Sequence, residues 1–210
     1  SNPADAKGLM KTALRASDPV LFLDHKSIFG MKGPVPVDEY CIPFGQAKVI
    51  REGRDLTLVS CGEYVHRCVK AAQSLDAEGI ACEVIDLRTI VPLDVETILA
   101  SVAKTGRVLA VDEALSMCGV GGEIAARIME EAFDELDAPV GRLHPDPVSQ
   151  PFSPALENAM VVSVEKIVVA VNNLVAGKAP VPRRPKAVLV VDQSGAVSSG
   201  NGAEKTISIV

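Results

Sequence analysis

From about residue 47 onward, short runs of Val, Ile and Leu alternate with longer segments whose apolar residues recur every three to four positions. The short runs predict buried strands, and the longer segments predict amphipathic helices. Repeated strand–helix–strand units form parallel sheets that are covered by helices on both faces. Strands this rich in aliphatic residues suit a sheet that is buried on both sides. The pattern therefore predicts a three-layer α/β fold with a mostly parallel sheet over roughly residues 47–176.

Individual elements follow from the same pattern. Strands are predicted at 47–50, 56–60, 82–87, 107–111 and 140–143, and helices at 65–75, 95–105, 121–136 and 164–175. Asp94 and Ser163 are placed to cap two of these helices, and Gly79 and Gly106 are placed to end two of them. The first two strands flank a short turn at 51–55, which predicts that they pair as a hairpin.

The region before the predicted sheet has a different pattern. Residues 4–16 predict a helix with Leu9, Met10, Ala13 and Leu14 on one face. Residues 20–23 predict a short buried strand. Glycines and prolines interrupt residues 24–46, which we interpret as a linker or a long functional loop.

The region after the predicted sheet also departs from it. Residues 179–186 are rich in Pro and Arg and predict an extended segment. Residues 187–191 and 206–210 could be two strands joined by a Gly- and Ser-rich stretch at 194–203. A loosely ordered extension, a hairpin added to the sheet edge and a hairpin exchanged with a neighbouring chain all remain open.

Composition limits the classes of function. Aromatic residues are 3% of the 210, none of them is Trp, and the formal net charge is −6. Nucleic-acid binding is therefore not expected, because it uses cationic surfaces and stacking aromatic rings. Neither a membrane span nor a signal peptide is apparent. Five cysteines without C-x-x-C spacing favour reduced thiols. We expect a cytoplasmic protein, with small molecules or basic protein surfaces as partners.

A glycine cluster, Gly119-Val120-Gly121-Gly122, stands between a predicted strand and a predicted helix. A dinucleotide-binding fingerprint would occupy this place, but its third glycine is replaced by Ile124. Close packing of the helix on the sheet explains these glycines better than nucleotide binding.

Other residue patterns offer few candidates for chemistry. Cys61 lies at a strand end with His66 five residues later, a spacing that does not suit one helical face, so we interpret this cysteine as a small turn residue. The three histidines are scattered and lack the spacing of paired ligands, which argues against a metal site. His25 is the strongest candidate, because it follows a predicted strand beside a long loop, where α/β proteins place ligand-binding groups.

Charged and amide pairs are assigned no chemistry. Asp112-Glu113 and Glu130-Glu131 are interpreted as solvated charges. Asn172-Asn173 is similar to the asparagine pair of a thiamine-diphosphate motif, but no Gly-Asp-Gly precedes it at the required distance. The residues alone therefore predict an α/β domain without a complete active site.

Several segments together resemble a known family. Residues 8–11 and 18–26 resemble the end of the pyrimidine-binding domain of E1 β subunits of thiamine-dependent 2-oxoacid and acetoin dehydrogenase complexes. The order and spacing of later segments resemble the transketolase-like C-terminal domain of those subunits: Ile42–Ala47, Val84–Thr89 with Pro92-Leu93-Asp94, Lys104–Arg107, Asp112–Ala114, Leu136–Pro139 and Pro151–Pro154. The resemblance extends to about residue 175 and divides the chain into 1–40, 41–177 and a tail at 178–210.

The resemblance implies a function for an assembled enzyme. The family forms α2β2 heterotetramers of an E1 α subunit and a β subunit around thiamine diphosphate and Mg²⁺, cleaves a C–C bond in a 2-oxoacid or acetoin, and passes the fragment to a lipoyl E2 acyltransferase. The β subunit's catalytic and cofactor-binding residues match no position here, so we assign no catalytic, cofactor or metal residues and expect the isolated chain to be inactive and cofactor-free. His25 becomes a substrate-channel candidate, and Asp137 becomes a candidate for binding E2.

Two alternatives involve no catalysis. The chain could be a free-standing domain whose acidic face recruits a basic partner. It could also be a self-associating domain whose tail completes a dimer. Acetoin, pyruvate and branched-chain 2-oxoacid substrates remain open.

Overall fold

The structure is a computed structural model that describes residues 1–180, 189–191 and 197–199. Its strands are β1 (Lys48–Arg51), β2 (Leu56–Ser60), β3 (Cys82–Asp86), β4 (Val108–Val111), β5 (Gly141–Leu143), β6 (Leu189–Val191) and β7 (Val197–Ser199). Its α-helices are α1 (Pro3–Arg15), α2 (Glu63–Asp76), α3 (Val95–Thr105), α4 (Val120–Glu131), α5 (Pro154–Met160) and α6 (Val164–Val175). Short 3-10 helices occupy Lys26–Ile28 and Phe133–Glu135.

The first five strands form one sheet in the order β1-β3-β2-β4-β5. Strands β3, β2, β4 and β5 are parallel, and β1 is antiparallel at the edge. Helices α2 and α6 pack on one face of the sheet, and α3 and α4 pack on the other. The prediction of a three-layer α/β fold with a mostly parallel sheet is therefore confirmed.

Side chains alternate between the two faces of the sheet along each central strand. Leu58 and Leu109 point into the core under α2 and α6, whereas Val59 and Ala110 point into the core under α3 and α4. All four side chains are buried. Fully burying one Val or Leu side chain contributes about 1.5–3 kcal/mol. Hydrophobic burial on both faces thus explains the aliphatic strands of the sequence.

The predicted pairing of the first two strands is wrong, because β3 lies between them. The backbone N–H groups of Arg54 and Asp55 both donate to the carbonyl of Ala81, at 2.9 and 3.0 Å. Gly53 lies directly against the start of β3, where a Cβ atom would be 2.1 Å from the backbone nitrogen of Glu83. The connection at 51–55 therefore crosses the amino end of β3 instead of forming a tight hairpin turn.

A buried polar network joins the sheet to α3. The hydroxyl of Thr57 lies 2.6 Å from that of Ser101 and 2.7 Å from that of Thr105. Ser101 donates a hydrogen bond of 2.5 Å to the buried carboxylate of Glu83, which also pairs with Lys104. Each of these polar groups has a partner, as burial requires.

Helix caps are confirmed at the residues chosen from the sequence. The hydroxyl of Ser163 accepts from the amide of Lys166 at 3.3 Å, and Gly106 ends α3 with the left-handed φ of 65° that favours glycine. Asp94 caps α3 by accepting hydrogen bonds from the amide and the hydroxyl of Thr97, at 3.0 and 2.7 Å. Its carboxylate also accepts a hydrogen bond from the amide of Ala47, at 2.8 Å. This bond attaches the residue just before β1 to the start of α3.

Replacing Asp94 with alanine is expected to cost about 1–2 kcal/mol of unfolding free energy at neutral pH, because a cap and a tertiary hydrogen bond are lost. Burial alone would raise the pKa of Asp94, but the hydrogen bonds from Thr97 and Ala47 together hold it below its usual value. A lowered folded-state pKa gives stability that is present above the unfolded-state pKa and is lost as the pH falls through the folded-state pKa. The difference between wild type and variant in urea unfolding should therefore shrink on acidification. Asp18→Ala, in an exposed segment, is the control, and an unchanged difference at low pH would contradict the prediction.

The predicted N-terminal helix is confirmed as α1, but the strand predicted at 20–23 is wrong. No strand among the described residues lies beside this segment, and Leu21 and Leu23 are 84% and 73% exposed. An apolar run becomes a strand only where another strand completes its hydrogen bonds. A second difference is α5, which begins with Pro154 at its first turn, in a Pro-rich region where no helix is predicted.

The tail contains an antiparallel pair, β6 with β7. Strand β6 lies within the predicted strand at 187–191, but β7 lies within the stretch that was expected to connect two strands. The predicted strand at 206–210 and most of the extended segment at 179–186 fall outside the described residues. β6 and β7 form a sheet of their own, so the described residues show no addition to the edge of the main sheet.

One stretch of the described chain, Pro154–Val175, is long and apolar enough to cross a membrane by length and composition alone. It comprises α5 and α6, which are separate helices divided at 161–163. Ile167, Val171 and Leu174 of α6 are buried in the core beside α2. In this fold the stretch therefore supplies a core helix.

Candidate functional site

The carboxyl ends of β2 and β4 are the place where this fold can build a site. These strands are neighbours in the sheet, and the helices that follow them, α2 and α4, pack on opposite faces. The two connections therefore diverge and leave a crevice between them, which is a topological switch point. Open α/β sheets bind their ligands outside the carboxyl ends of the strands at such a point.

His25 reaches this crevice from the linker. A Cβ atom on Gly62, which follows β2, would lie 3.8 Å from Cδ2 of His25. The Nε2 atom of His25 lies 2.8 Å from Oε2 of Glu113, which follows β4. The Nδ1 atom accepts from the amide of Ser27 at 3.3 Å and lies 2.8 Å from its hydroxyl. Because Nδ1 is an acceptor, the ring proton of neutral His25 is on Nε2, which lies near Glu113 but forms no hydrogen bond among the described residues.

Cys61, at the end of β2, is not poised as a nucleophile. Burial, together with the charges of Asp112, Asp86 and Glu113, raises the pKa of its thiol to about 11. The thiolate is the reactive form, so a thiol of this kind is a poor nucleophile at neutral pH. His66 forms no pair with it, since its Nε2 lies 2.7 Å from the carbonyl oxygen of Ser1.

The glycine cluster at the start of α4 serves packing and capping. A Cβ atom on Gly121 would lie 3.0 Å from the ring of His144, and one on Gly119 would lie 2.6 Å from the carbonyl of Leu115. The Asp112 carboxylate accepts from the amide of Gly121 at 3.0 Å, so it occupies the place where a phosphate would bind a helix N-terminus. The interpretation of Asp112 as a solvated charge is wrong, since its side chain is only 13% exposed.

The crevice at the carboxyl edge of the sheet does not fit thiamine diphosphate, and the described residues offer no cluster of ligands for Mg²⁺. These residues contain no group of three or more His, Cys, Asp or Glu side chains that could hold a metal ion. The cavity between Cys61, Asp112 and Gly121 measures about 10 Å³, which is room for one water molecule. Asn172 donates to Glu78 at 2.9 Å, and Asn173 donates to the carbonyl of Pro180 at 3.3 Å, so both amides serve structural contacts. We therefore derive no chemical step through this cofactor.

Asp137 lies at the other end of the sheet, so the structure does not bring it together with His25. Its amide donates to the carbonyl of Gly106 at 2.7 Å, and its carboxylate, 61% exposed, lies 3.5 Å from Arg107, just before β4. Phe133 is 61% exposed nearby in the chain. Exposed acidic side chains surround this phenylalanine in sequence: Glu130, Glu131, Asp134 and Glu135. An exposed ring among carboxylates suits a basic partner protein.

A buried ion pair that the sequence does not signal holds α1 on the carboxyl edge of the sheet. Nε and Nη2 of Arg88, just after β3, donate to the two carboxylate oxygens of Asp5, at 3.1 and 2.7 Å. The two side chains are 11% and 4% exposed. Asn2 donates a further hydrogen bond of 2.7 Å to Asp5. The ion pair joins residues 83 positions apart, so no local pattern could have predicted it.

Comparison with known proteins assigns the fold to a family. Residues 45–167, more than half of the chain, match the family described as "Transketolase, C-terminal domain". A solved structure described as a split-gene transketolase in an inactive β4 tetramer is similar over 67% of this chain and 44% of its own, with 28% identity and a TM-score of 0.56.

Curated relatives extend the similarity to residues before this domain. The chain is 42% identical over 177 residues to the β subunit of acetoin:2,6-dichlorophenolindophenol oxidoreductase from Cupriavidus necator, covering 84% of this chain and 52% of the relative. It is 44% identical to the 2-oxoisovalerate dehydrogenase β subunit of Bacillus subtilis, covering 83% and 54%. It is 41% identical to the pyruvate dehydrogenase E1 β subunit of Porphyra purpurea, covering 83% and 53%.

The chain thus spans about half the length of the curated relatives that it matches. Its resemblance to E1 β subunits, and the expected transketolase-like fold, are confirmed by the matched residues and by the sheet topology. This chain belongs to the transketolase C-terminal domain family.

Proposed function

We propose that this chain is the C-terminal, assembly and partner-docking part of the β subunit of a thiamine-dependent E1 component. The observation that carries the proposal is its identity of 41–44% to three such subunits over more than four fifths of its length. Thiamine diphosphate and Mg²⁺ would then be held by the rest of the β subunit and by an E1 α subunit.

The assembled enzyme would carry out oxidative decarboxylation of a 2-oxoacid or cleavage of acetoin, with transfer of the acyl group to a lipoyl E2. We further propose an α2β2 assembly with a second β subunit, located in the cytoplasm. The described cysteines are all free, which is compatible with a reducing compartment. His25 remains a substrate-channel candidate, because it lies at the carboxyl edge of the sheet, where ligands approach α/β folds.

The substrate can be tested directly. Relatives named for acetoin, 2-oxoisovalerate and pyruvate are similarly identical to this chain. The whole β subunit, combined with its α subunit and thiamine diphosphate, is expected to reduce dichlorophenolindophenol with one of these three substrates. The 210-residue chain alone is expected to show neither this activity nor binding of thiamine diphosphate in calorimetry. Reduction with none of the three substrates would contradict the proposal and favour a free-standing interaction domain.

Asp137 is the candidate contact for the E2 partner. Replacing Asp137 with lysine is expected to weaken capture of E2 about tenfold or more, because charge reversal opposes a basic docking surface. Asp137 is exposed and the one ion pair that it forms among the described residues, with Arg107, is long, so the fold should survive the change. Binding can be measured by biolayer interferometry at two salt concentrations.

Asp18→Lys provides the matched control for this measurement, because it makes the same charge change in the exposed segment after α1. Equal affinities for the two variants would remove Asp137 from the docking surface while leaving the family assignment intact.

A further inference from the structure

The crevice at the switch point between β2 and β4 is closed by the chain's own linker. Folds of this class bind ligands at this place, yet the cavity left among Cys61, Asp112 and Gly121 has room for about one water molecule. His25 stands against Gly62 on the β2 side of the crevice and 2.8 Å from Glu113 on the β4 side. One side chain of the linker therefore contacts both walls.

The conformation of the β2 wall suits this contact. Gly62 has a φ of 61°, a left-handed conformation that side chains rarely adopt. It also leaves the Cα atom bare on the side facing His25, where a Cβ atom would be in van der Waals contact with the ring. The left-handed turn into α2 therefore accounts for the glycine, since a Cβ atom there would meet the ring only at an ordinary contact distance.

Both ring nitrogens have a polar neighbour. Ser27 fixes Nδ1, whereas the buried Nε2 lies 2.8 Å from a carboxylate oxygen of Glu113 but makes no hydrogen bond among the described residues. Glu113 itself is 57% exposed, so it is free to release the ring by turning into solvent. The hydrogen bonds to Ser27 therefore fix His25 within the linker, whereas the contact with Glu113 can break when that side chain turns into solvent.

A second tie supports the same arrangement along this edge. The buried pair of Asp5 and Arg88 fixes α1 at the end of β3, the strand next to β2. Ser1 also donates a hydrogen bond to Asp86 at the end of β3. The segment before the sheet domain is therefore attached at the carboxyl ends of β3, β2 and β4 in turn.

We infer that the carboxyl edge of this sheet is an intramolecular docking surface for residues 1–45, and that His25 is the side chain that closes its crevice. The edge that binds ligands in related architectures is used here to fix the preceding segment of the chain. Glu113 is the positioning residue that keeps His25 in the crevice. This inference does not depend on the proposed enzymatic function.

The inference can be tested by measuring the reactivity of Cys61, which lines the crevice. All variants are made in a parent protein that carries Cys41→Ser and Cys118→Ser, since these two exposed cysteines would otherwise be labelled as well. Cys68 and Cys82 are fully buried and report on the integrity of the fold. Labelling by a maleimide, followed by peptide mass spectrometry, gives the rate for each thiol separately.

His25→Ala and Glu113→Gln are each expected to label Cys61 about tenfold faster than the parent, because local opening sets the rate for a covered group. Lys26→Ala, an exposed neighbour of His25, and Glu130→Gln, an exposed glutamate elsewhere, are the matched controls and should label at the parent's rate. Cys68 and Cys82 should stay protected in every variant.

An unchanged rate at Cys61 in both His25→Ala and Glu113→Gln, with Cys68 and Cys82 protected, would overturn the inference. If His25→Ala also exposes Cys68, that variant has lost its fold, and Glu113→Gln decides, because it removes only a charge at an exposed position. Faster labelling in the Lys26→Ala control as well would equally overturn the role of His25, since it would show general loosening of the linker.

Discussion

Replacing Arg88 with alanine is expected to lower the stability of α1's attachment by about 3–5 kcal/mol, which is typical when a buried ion pair loses one partner. The carboxylate of Asp5 would remain buried with only Asn2 as a side-chain donor. The protein can lower that cost by releasing α1 from the sheet. We therefore expect a lower melting temperature and rapid hydrogen exchange at α1 amides.

The backbone at Arg88 makes the substitution informative. Its φ of 57° is rare for a residue other than glycine, and such conformations cost on the order of 1–3 kcal/mol. Alanine keeps this strain, so Arg88→Ala isolates the loss of the side chain. Arg88→Lys should recover only part of the loss, because an ammonium group cannot donate two parallel hydrogen bonds to one carboxylate.

Arg15→Ala is the matched control for Arg88→Ala. Arg15 also belongs to an ion pair, with Glu39 at 2.5 Å, but both side chains are more than half exposed. An exposed pair contributes little to stability, because water screens its charges. If Arg88→Ala and Arg15→Ala had the same effect on stability and on α1 exchange, the anchoring role of Arg88 would be refuted.

Replacing Gly53 with alanine is expected to destabilise the sheet by about 3 kcal/mol or more, since the added methyl group has no space. Its Cβ atom would lie 2.1 Å from the nitrogen of Glu83 and 2.2 Å from the carbonyl carbon of Cys82. Both are backbone atoms of β3, so a change of side-chain rotamer cannot relieve the overlap. The connection between β1 and β2 would have to move away from β3.

Urea unfolding followed by circular dichroism measures this effect. Gly30→Ala is the control, because no heavy atom lies within 4 Å of its added Cβ atom. A loss of stability as small as that of Gly30→Ala would mean that the 51–55 connection does not pack on β3 as the structure shows. The comparison therefore also tests the strand order that separates β1 from β2.

Helices and strands were predictable where the deciding residues are neighbours in the chain. The alternation of apolar residues located all five strands of the main sheet, and capping residues such as Asp94 and Ser163 located helix starts. The strand predicted from the apolar run at residues 20–23 does not form, because no neighbouring strand pairs with it among the described residues, and Leu21 is exposed. The helix at Pro154–Met160 was missed because the prolines before it suggested a loop.

The candidate site was less predictable than the fold. His25 is a candidate in the sequence because a strand is predicted directly before it. That strand does not form, and the linker places the histidine at the crevice instead. Glu113 was interpreted as a solvated charge, and only its proximity to His25 shows a positioning role. Asp137 is exposed, as a contact for E2 would have to be, and it lies at the opposite end of the sheet from His25.

The class of this fold can be deduced from the amino-acid sequence alone: an aliphatic parallel sheet with helices on both faces, and membership of the transketolase C-terminal domain family. Periodicity and caps depend on residues a few positions apart, so the sequence carries them directly. The insertion of β3 between β1 and β2, the pairing of Asp5 with Arg88, and the closure of the crevice by His25 were decided by tertiary structure. These contacts join distant segments and become favourable only when the packed sheet excludes water from them.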